Sequence, residues 1–144
     1  MATHKAKKKL ILSEERIARI RRSRLMDDEY MRKFFSGDKE CIQLVLRIIL
    51  GRDDLTVISC RVQRTMRGSG QFRSIRLDVH AVDSTGRGYD IEVQRGNEGA
   101  DPRRARFHSA LMDANMLKKN ENFKALNESY VIFITVFQEH EGGT

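Results

Sequence analysis

The chain has 144 residues, 40% of them hydrophobic, which suffices for one compact domain with a core and is too little for two ordinary ones. No stretch approaches the roughly 20 consecutive apolar residues of a membrane span, and the lysine-rich N-terminus lacks the apolar run of a secretory signal, so a soluble, cytoplasmic protein with no membrane partner is expected. The net charge of +7 is concentrated in residues 1–24, where nine Lys/Arg meet two Glu, leaving 18 basic and 18 acidic residues in the remainder. Residues 1–24 therefore read as a basic extension, partly helical or disordered, able to attract a polyanion by counterion release. Residues 25–138 read as the folded domain and 139–144 as a frayed end. Cys41 and Cys60 have no CxxC spacing, which argues against a disulfide framework or a zinc site and leaves them as small reduced thiols.

Ser13-Glu14-Glu15 has the capping hydroxyl and first-turn acids of a helix start, leading to a short helix up to Arg22. Asp27-Asp28-Glu29 repeats the signal, and Tyr30, Met31, Phe34 and Phe35 follow at helical spacing. Residues 38–50 are apolar almost all round and end at Gly51, which predicts a buried helix whose polar stripe is Glu40, Gln43 and Arg47. From Leu55 the pattern turns to strand, with a Gly68-Ser69-Gly70 turn after it. In 73–82, Ile75, Leu77, Val79 and Ala81 alternate with Ser74, Arg76, Asp78 and His80, so Asp78 and His80 share a polar face. His80 there reads as a solvated or hydrogen-bonding side chain. Asp83-Ser84-Thr85-Gly86 is a turn signal, and 89–94 alternates again, Tyr89, Ile91 and Val93 against Asp90, Glu92 and Gln94.

Asp101-Pro102 starts a further helix, the aspartate as cap and the proline in the first turn. Phe107, Ala110, Leu111, Ala114 and Leu117 are its expected core face, with Arg103 on the same side and Arg104 and Arg106 flanking it. Residues 118–129 read as a loop and 130–137 as a strand buried on both faces.

Pairing the two central strands about the Asp83 turn sets Asp78 across from Glu92. Directly opposed like charges, with Cβ atoms about 4.5–5.5 Å apart, are destabilising unless a proton or cation intervenes. A divalent metal resolves this, and two hard carboxylates with room for water and phosphate suit Mg2+, with Mn2+ as a substitute.

Asp78, a gap of 13 residues, then Glu92-Val93-Gln94 resembles the D-(x)n-(D/E)-x-K signature of PD-(D/E)XK nucleases. Arg76-Leu77-Asp78-Val79, Tyr89-Asp90-Ile91-Glu92-Val93-Gln94 and Arg104-Ala105-Arg106-Phe107 narrow the resemblance to the PD-(D/E)XK nuclease family transposases. The resemblance spans residues 36–137 and implies an α/β fold, a restriction-endonuclease-like αβββαβ core with a mixed central sheet flanked by helices. It implies a metal-dependent DNA endonuclease tied to transposition or recombination, in which Asp78, Glu92 and the Val93 carbonyl hold the metal and Gln94 positions water. Gln94 departs from the lysine of most of the superfamily, so it cannot supply that charge, which then falls to the metal and to Arg95 or Arg103. Glu40 matches the acid that the first core helix often offers to the metal, and as a first-turn glutamate it is equally favoured by the helix dipole. Asp90 shares the face of Glu92 but matches no family role.

Arg95, Arg103, Arg104 and Arg106, near a helix start, suit a DNA backbone. Cleavage of both strands calls for two active sites, hence a homodimer. The alternative is a catalytically weak DNA-binding module of a mobile element. The last core strand is followed by few residues, which reads as a truncated member of the family.

Overall fold

Capping and hydrophobic patterning decide the helices. In this computed structural model residues 14–15, 28–68, 70, 73–95 and 99–136 are described, with only the backbone for 28–30, Arg95 and Val136. The basic extension, the helix expected over 13–22 apart from helical Glu14 and Glu15, Ser69 of the expected turn, and residues 139–144 lie outside the described residues. Helix α1 (Asp28–Phe35) buries Phe34 and leaves Phe35 turned outward, edge-on to it at 5.5 Å. Helix α2 (Lys39–Leu50) starts where the Asp38 carboxylate accepts from Cys41 N at 2.9 Å. It stops at Gly51, whose φ of 64° lies in the left-handed region that glycine adopts without strain. Ile42 and Leu46 are fully buried on this helix, each contributing roughly 2 kcal/mol of apolar burial.

The polar stripe of α2 has a structural use. Gln43 Oε1 accepts from Val57 N at 2.9 Å and Arg47 Nε donates to Leu55 O at 2.7 Å, tying the helix to the start of the first strand. Glu40, by contrast, is exposed on the first turn.

Four strands form one mixed sheet in the order β1 (Val57–Met66), β2 (Ile75–Asp83), β3 (Gly88–Arg95), β4 (Ser129–Val136). The first two pairings are antiparallel and β3 with β4 is parallel, joined by helix α3 (Pro102–Met116) and a 3-10 turn at Phe123–Ala125. The β2–β3 turn is over-determined. Asp83 Oδ1 accepts from Thr85 N, Thr85 Oγ1 and Arg87 N, while Oδ2 accepts from Tyr89 Oη at 2.6 Å. Gly86, at φ 85°, donates its N–H back to the Asp83 carbonyl. This turn sets the register, Val79 opposite Ile91 and His80 opposite Asp90, which is the pairing the turn residues predict.

The ladder between β2 and β3 runs from Val82 to Val79 and ends at Asp78, whereas β3 stays paired with β4 to Arg95. At the same level β1 carries Gln63 at φ 54°, between the Val62–Val79 and Arg64–Leu77 pairs. Here β2 changes sides. Val79 and Ala81 pack with α2, but Ile75 and Leu77 pack with Leu111 and Met112 of α3, although all four were expected on one face. The sheet therefore forks at Asp78.

Helix α3 also turns a different face inward. Its buried residues are His108, Ser109, Leu111 and Met112, while Phe107, Ala110 and Ala114 are exposed along a groove that Arg67 and Asn115 also line. The reason lies in the sheet, which presents His80, Asp90 and Glu92 to this helix and requires polar partners from it. Strand β4 is one of the two sheet edges among the described residues, with β1 the other, and is half-buried, not covered on both faces as its composition suggests. Among the described residues no helix is long and apolar enough to cross a membrane.

Candidate metal centre

The fork brings acidic side chains together. Asp78 N, which has lost its ladder partner, donates to Glu92 Oε1 at 3.4 Å, and Val93 N donates to Asp78 Oδ2 at 3.3 Å. The two carboxylates thus fill the gap where backbone pairing between β2 and β3 stops. Glu92 is 2% exposed and Asp90, two residues earlier on the same face, is fully buried. His108, 4% exposed, reaches down from α3 with Nδ1 2.8 Å from Asp90 Oδ2 and 3.6 Å from Glu92 Oε1.

Burial pushes the carboxyl groups of Asp90 and Glu92 well above the ordinary carboxylate range. For Glu92 the hydrogen bond and charge of Asp90 add to burial, followed by those of Asp78. Asp78 likewise raises Asp90, against a hydrogen bond from Glu92 that lowers it. Burial lowers His108, with the charge of Glu92 opposing. The group holds a proton between its acids where a cation is absent. His80, also buried, is kept neutral, with its pKa down to about 4 through burial and the nearby charges of Arg64 and Arg61, and its Nδ1 lies 2.9 Å from Arg64 Nη1. Of its two expected settings, the hydrogen-bonding one is found and the solvated one is not.

The mouth of the site is set by Arg104 and Gln94. Arg104, 41% exposed, places Nη2 3.7 Å from Glu92 Oε2 and Nη1 3.3 Å from Gln94 Oε1 and 3.1 Å from the Gly99 carbonyl. Its guanidinium also lies 5.5 Å from the centre of the Phe133 ring. Gln94 Nε2 and Asp90 Oδ1 are buried polar atoms without a hydrogen-bond partner. Two carboxylates and an imidazole, with Asp90 Oδ1 left unsatisfied, are ligands that fit a divalent cation.

The other expected site residues are placed as follows. Glu40 does not join any close acidic or histidine group among the described residues. Arg103, 82% exposed, pairs with the helix-capping Asp101 and does not face the core, and Arg106 is exposed. Arg95 closes β3, its side chain outside the described set. Sequence reasoning missed Asp90 and His108 as members of the group. The parity of Asp90 with Glu92 pointed to the first, and the spacing of His108 one turn after Arg104 pointed to the second once the inward face of α3 is known.

A mixed four-stranded sheet with flanking helices in the order αβββαβ, with acids where its two central strands part, defines a restriction-endonuclease-like PD-(D/E)XK α/β fold. The sequence model of the PD-(D/E)XK nuclease family transposases matches residues 32–143, and the chain belongs to that family. No curated protein and no solved structure matches it.

Proposed function

We propose that the protein is a metal-dependent endonuclease that hydrolyses DNA phosphodiester bonds in transposition or recombination, acting in the cytoplasm with Mg2+ and with Mn2+ as a substitute. The observation that carries this reading is the meeting of Asp78 and Glu92 at the fork, backed by acids that need a counter-charge. Asp78, Glu92 and the Val93 carbonyl hold the ion; Glu40 is the weakest member of that set, being exposed and apart. When bound, the divalent ion supplies Lewis acidity and offsets charge at the phosphoryl group.

The residues of the chain supply the rest. Gln94 has its carbonyl oxygen engaged by Arg104, so its free amide hydrogens are the part left to hold a water or a phosphate oxygen. An amide positions but does not take a proton. Arg104 brings its guanidinium to the place where a lysine would have supplied charge, and this chain therefore relies on a neighbour in space for it. Arg95, Arg103 and Arg106 extend the basic surface for the DNA backbone, and cleavage of both strands requires a homodimer.

Nicking of supercoiled plasmid with Mg2+, with EDTA and with Mn2+ tests this. Metal-dependent nicking abolished by EDTA is expected. Salt-sensitive DNA binding without cleavage under any of these ions would favour a catalytically weak DNA-binding module, the reading to which the missing lysine lends support.

The Gln94–Arg104 pair is tested by Gly99→Ala. A Cβ there would collide with Gln94 Oε1, the end of a flexible side chain, so the amide must move while the fold accommodates the change. Cleavage is expected to fall about tenfold or more with the thermal midpoint nearly unchanged. Arg104→Lys, which keeps the charge but loses the two-pronged contact, should fall by a similar factor; full activity in both variants would remove the pair from the reaction.

A further inference from the structure

We propose that Asp90, Glu92 and His108 form a cation site of their own, next to the Asp78 position, which takes a divalent transition ion in preference to magnesium. The ligand atoms of the three residues lie within 4.8 Å of one another, and Asp78 is not part of that set. Ligands held about 2.0–2.2 Å from one ion sit roughly 3 Å apart at right angles. His108 Nδ1 meets that spacing with Asp90 Oδ2 at 2.8 Å and with Glu92 Oε1 at 3.6 Å.

A buried His–Asp pair is more often a hydrogen bond than a metal site, but this one also carries an orphaned oxygen. Asp90 is fully buried and its Oδ1 has no partner, although a carboxylate so placed should have every oxygen satisfied. The guanidinium of Arg104 faces the other oxygen of Glu92 at 3.7 Å, and among the described residues no Arg or Lys pairs with Asp90. An ion taken by both oxygens of Asp90, together with Glu92 Oε1 and His108 Nδ1, gives Oδ1 its missing partner and turns the mutual repulsion of two acids into shared coordination.

The imidazole sets the choice of ion. Magnesium keeps to oxygen ligands and sheds water reluctantly, whereas manganese and the later divalent ions accept imidazole nitrogen. Glu92 belongs both to this site and to the proposed nuclease centre. An ion on its Oε1 side fixes the rotamer that presents the carboxylate to Asp78, so the site acts as a positioning device for the residue the two share.

The experiment is pulsed electron paramagnetic resonance of Mn2+ added to the full chain, read for nitrogen modulation, alongside titration of Mn2+ and Mg2+ binding. Nitrogen-coordinated Mn2+ is expected in the wild type and in Asp78→Asn, with Mn2+ bound at least tenfold more tightly than Mg2+. His108→Asn should lose the nitrogen signal and weaken Mn2+ at least tenfold. Should His108→Asn not fold, a chain with His4, His80 and His140 all replaced must retain the signal. Bound Mn2+ without nitrogen coupling would overturn this site and leave the nuclease centre standing; no Mn2+ binding at all would overturn both.

Discussion

Glu92→Gln is expected to bring plasmid nicking down roughly a hundred- to thousandfold while making the metal-free protein more stable. Glu92 is buried against two other carboxylates, and its ionised form is disfavoured first by burial and then by Asp90 and Asp78. Glutamine keeps the carbonyl oxygen that accepts from Asp78 N and turns an amide hydrogen toward Asp90, as the protonated acid does. At pH 8 in EDTA the folded chain must keep on Glu92 a proton that the unfolded chain sheds, and glutamine carries no such cost, so the metal-free midpoint is expected to rise by several degrees. The same change removes a charged ligand, so metal affinity and cleavage fall together. Asp78→Asn should lose activity alike but gain less stability, since Asp78 is only half-buried. Glu92→Gln that destabilises the metal-free protein would mean that Glu92 is not a penalised buried acid, and normal cleavage would mean that it is not a metal ligand.

Much of the fold and of the site is legible in the residues because local chemistry fixes it. The Asp38 cap and Gly51 stop bound α2, Asp101 with Pro102 starts α3, and the turn at Asp83 sets the register, ending at Val79 and Ile91, beyond which Asp78 N meets Glu92 Oε1. The change of face at Asp78 is not legible, since Ile75, Leu77, Val79 and Ala81 are apolar whichever helix they meet, and both faces of this sheet carry one. Its mark on β1 is a positive φ at Gln63, a residue type that does not announce one. The inward face of α3 was misread for a related reason: apolar periodicity selects Phe107, Ala110 and Ala114, but the surface it must cover is acidic, and His108 with Ser109 answers that demand. The demand of buried acids for polar partners thus overrode the local apolar pattern.

The stability of the protein should respond to divalent metal in a way that depends on pH, and the sign follows from the acids. In the unfolded chain Asp and Glu titrate near about 4, while in the fold burial and the charges of neighbouring acids raise Asp90 and Glu92 well above the ordinary carboxylate range. The folded state therefore binds protons that the unfolded chain has released, and metal-free stability falls as pH rises from about 4 through their raised values. His108 and His80, both lowered, act at the other end: below about 6.5 the unfolded chain gains protons that the fold refuses, and stability falls there too. A divalent ion displaces the protons of the acidic group, so it binds weakly at pH 6 and strongly at pH 8.5. At a hundredfold excess over its Kd an ion adds about 2.7 kcal/mol, a shift on the order of 10 °C for a domain of this size. Thermal unfolding with 10 mM Mg2+ or with Mn2+ is thus expected to show a shift near zero at pH 6 that grows through pH 8.5, and Glu92→Gln should flatten the dependence. A metal shift of equal size across this range, or one that survives unchanged in Glu92→Gln, would mean that the ion binds elsewhere than at the fork.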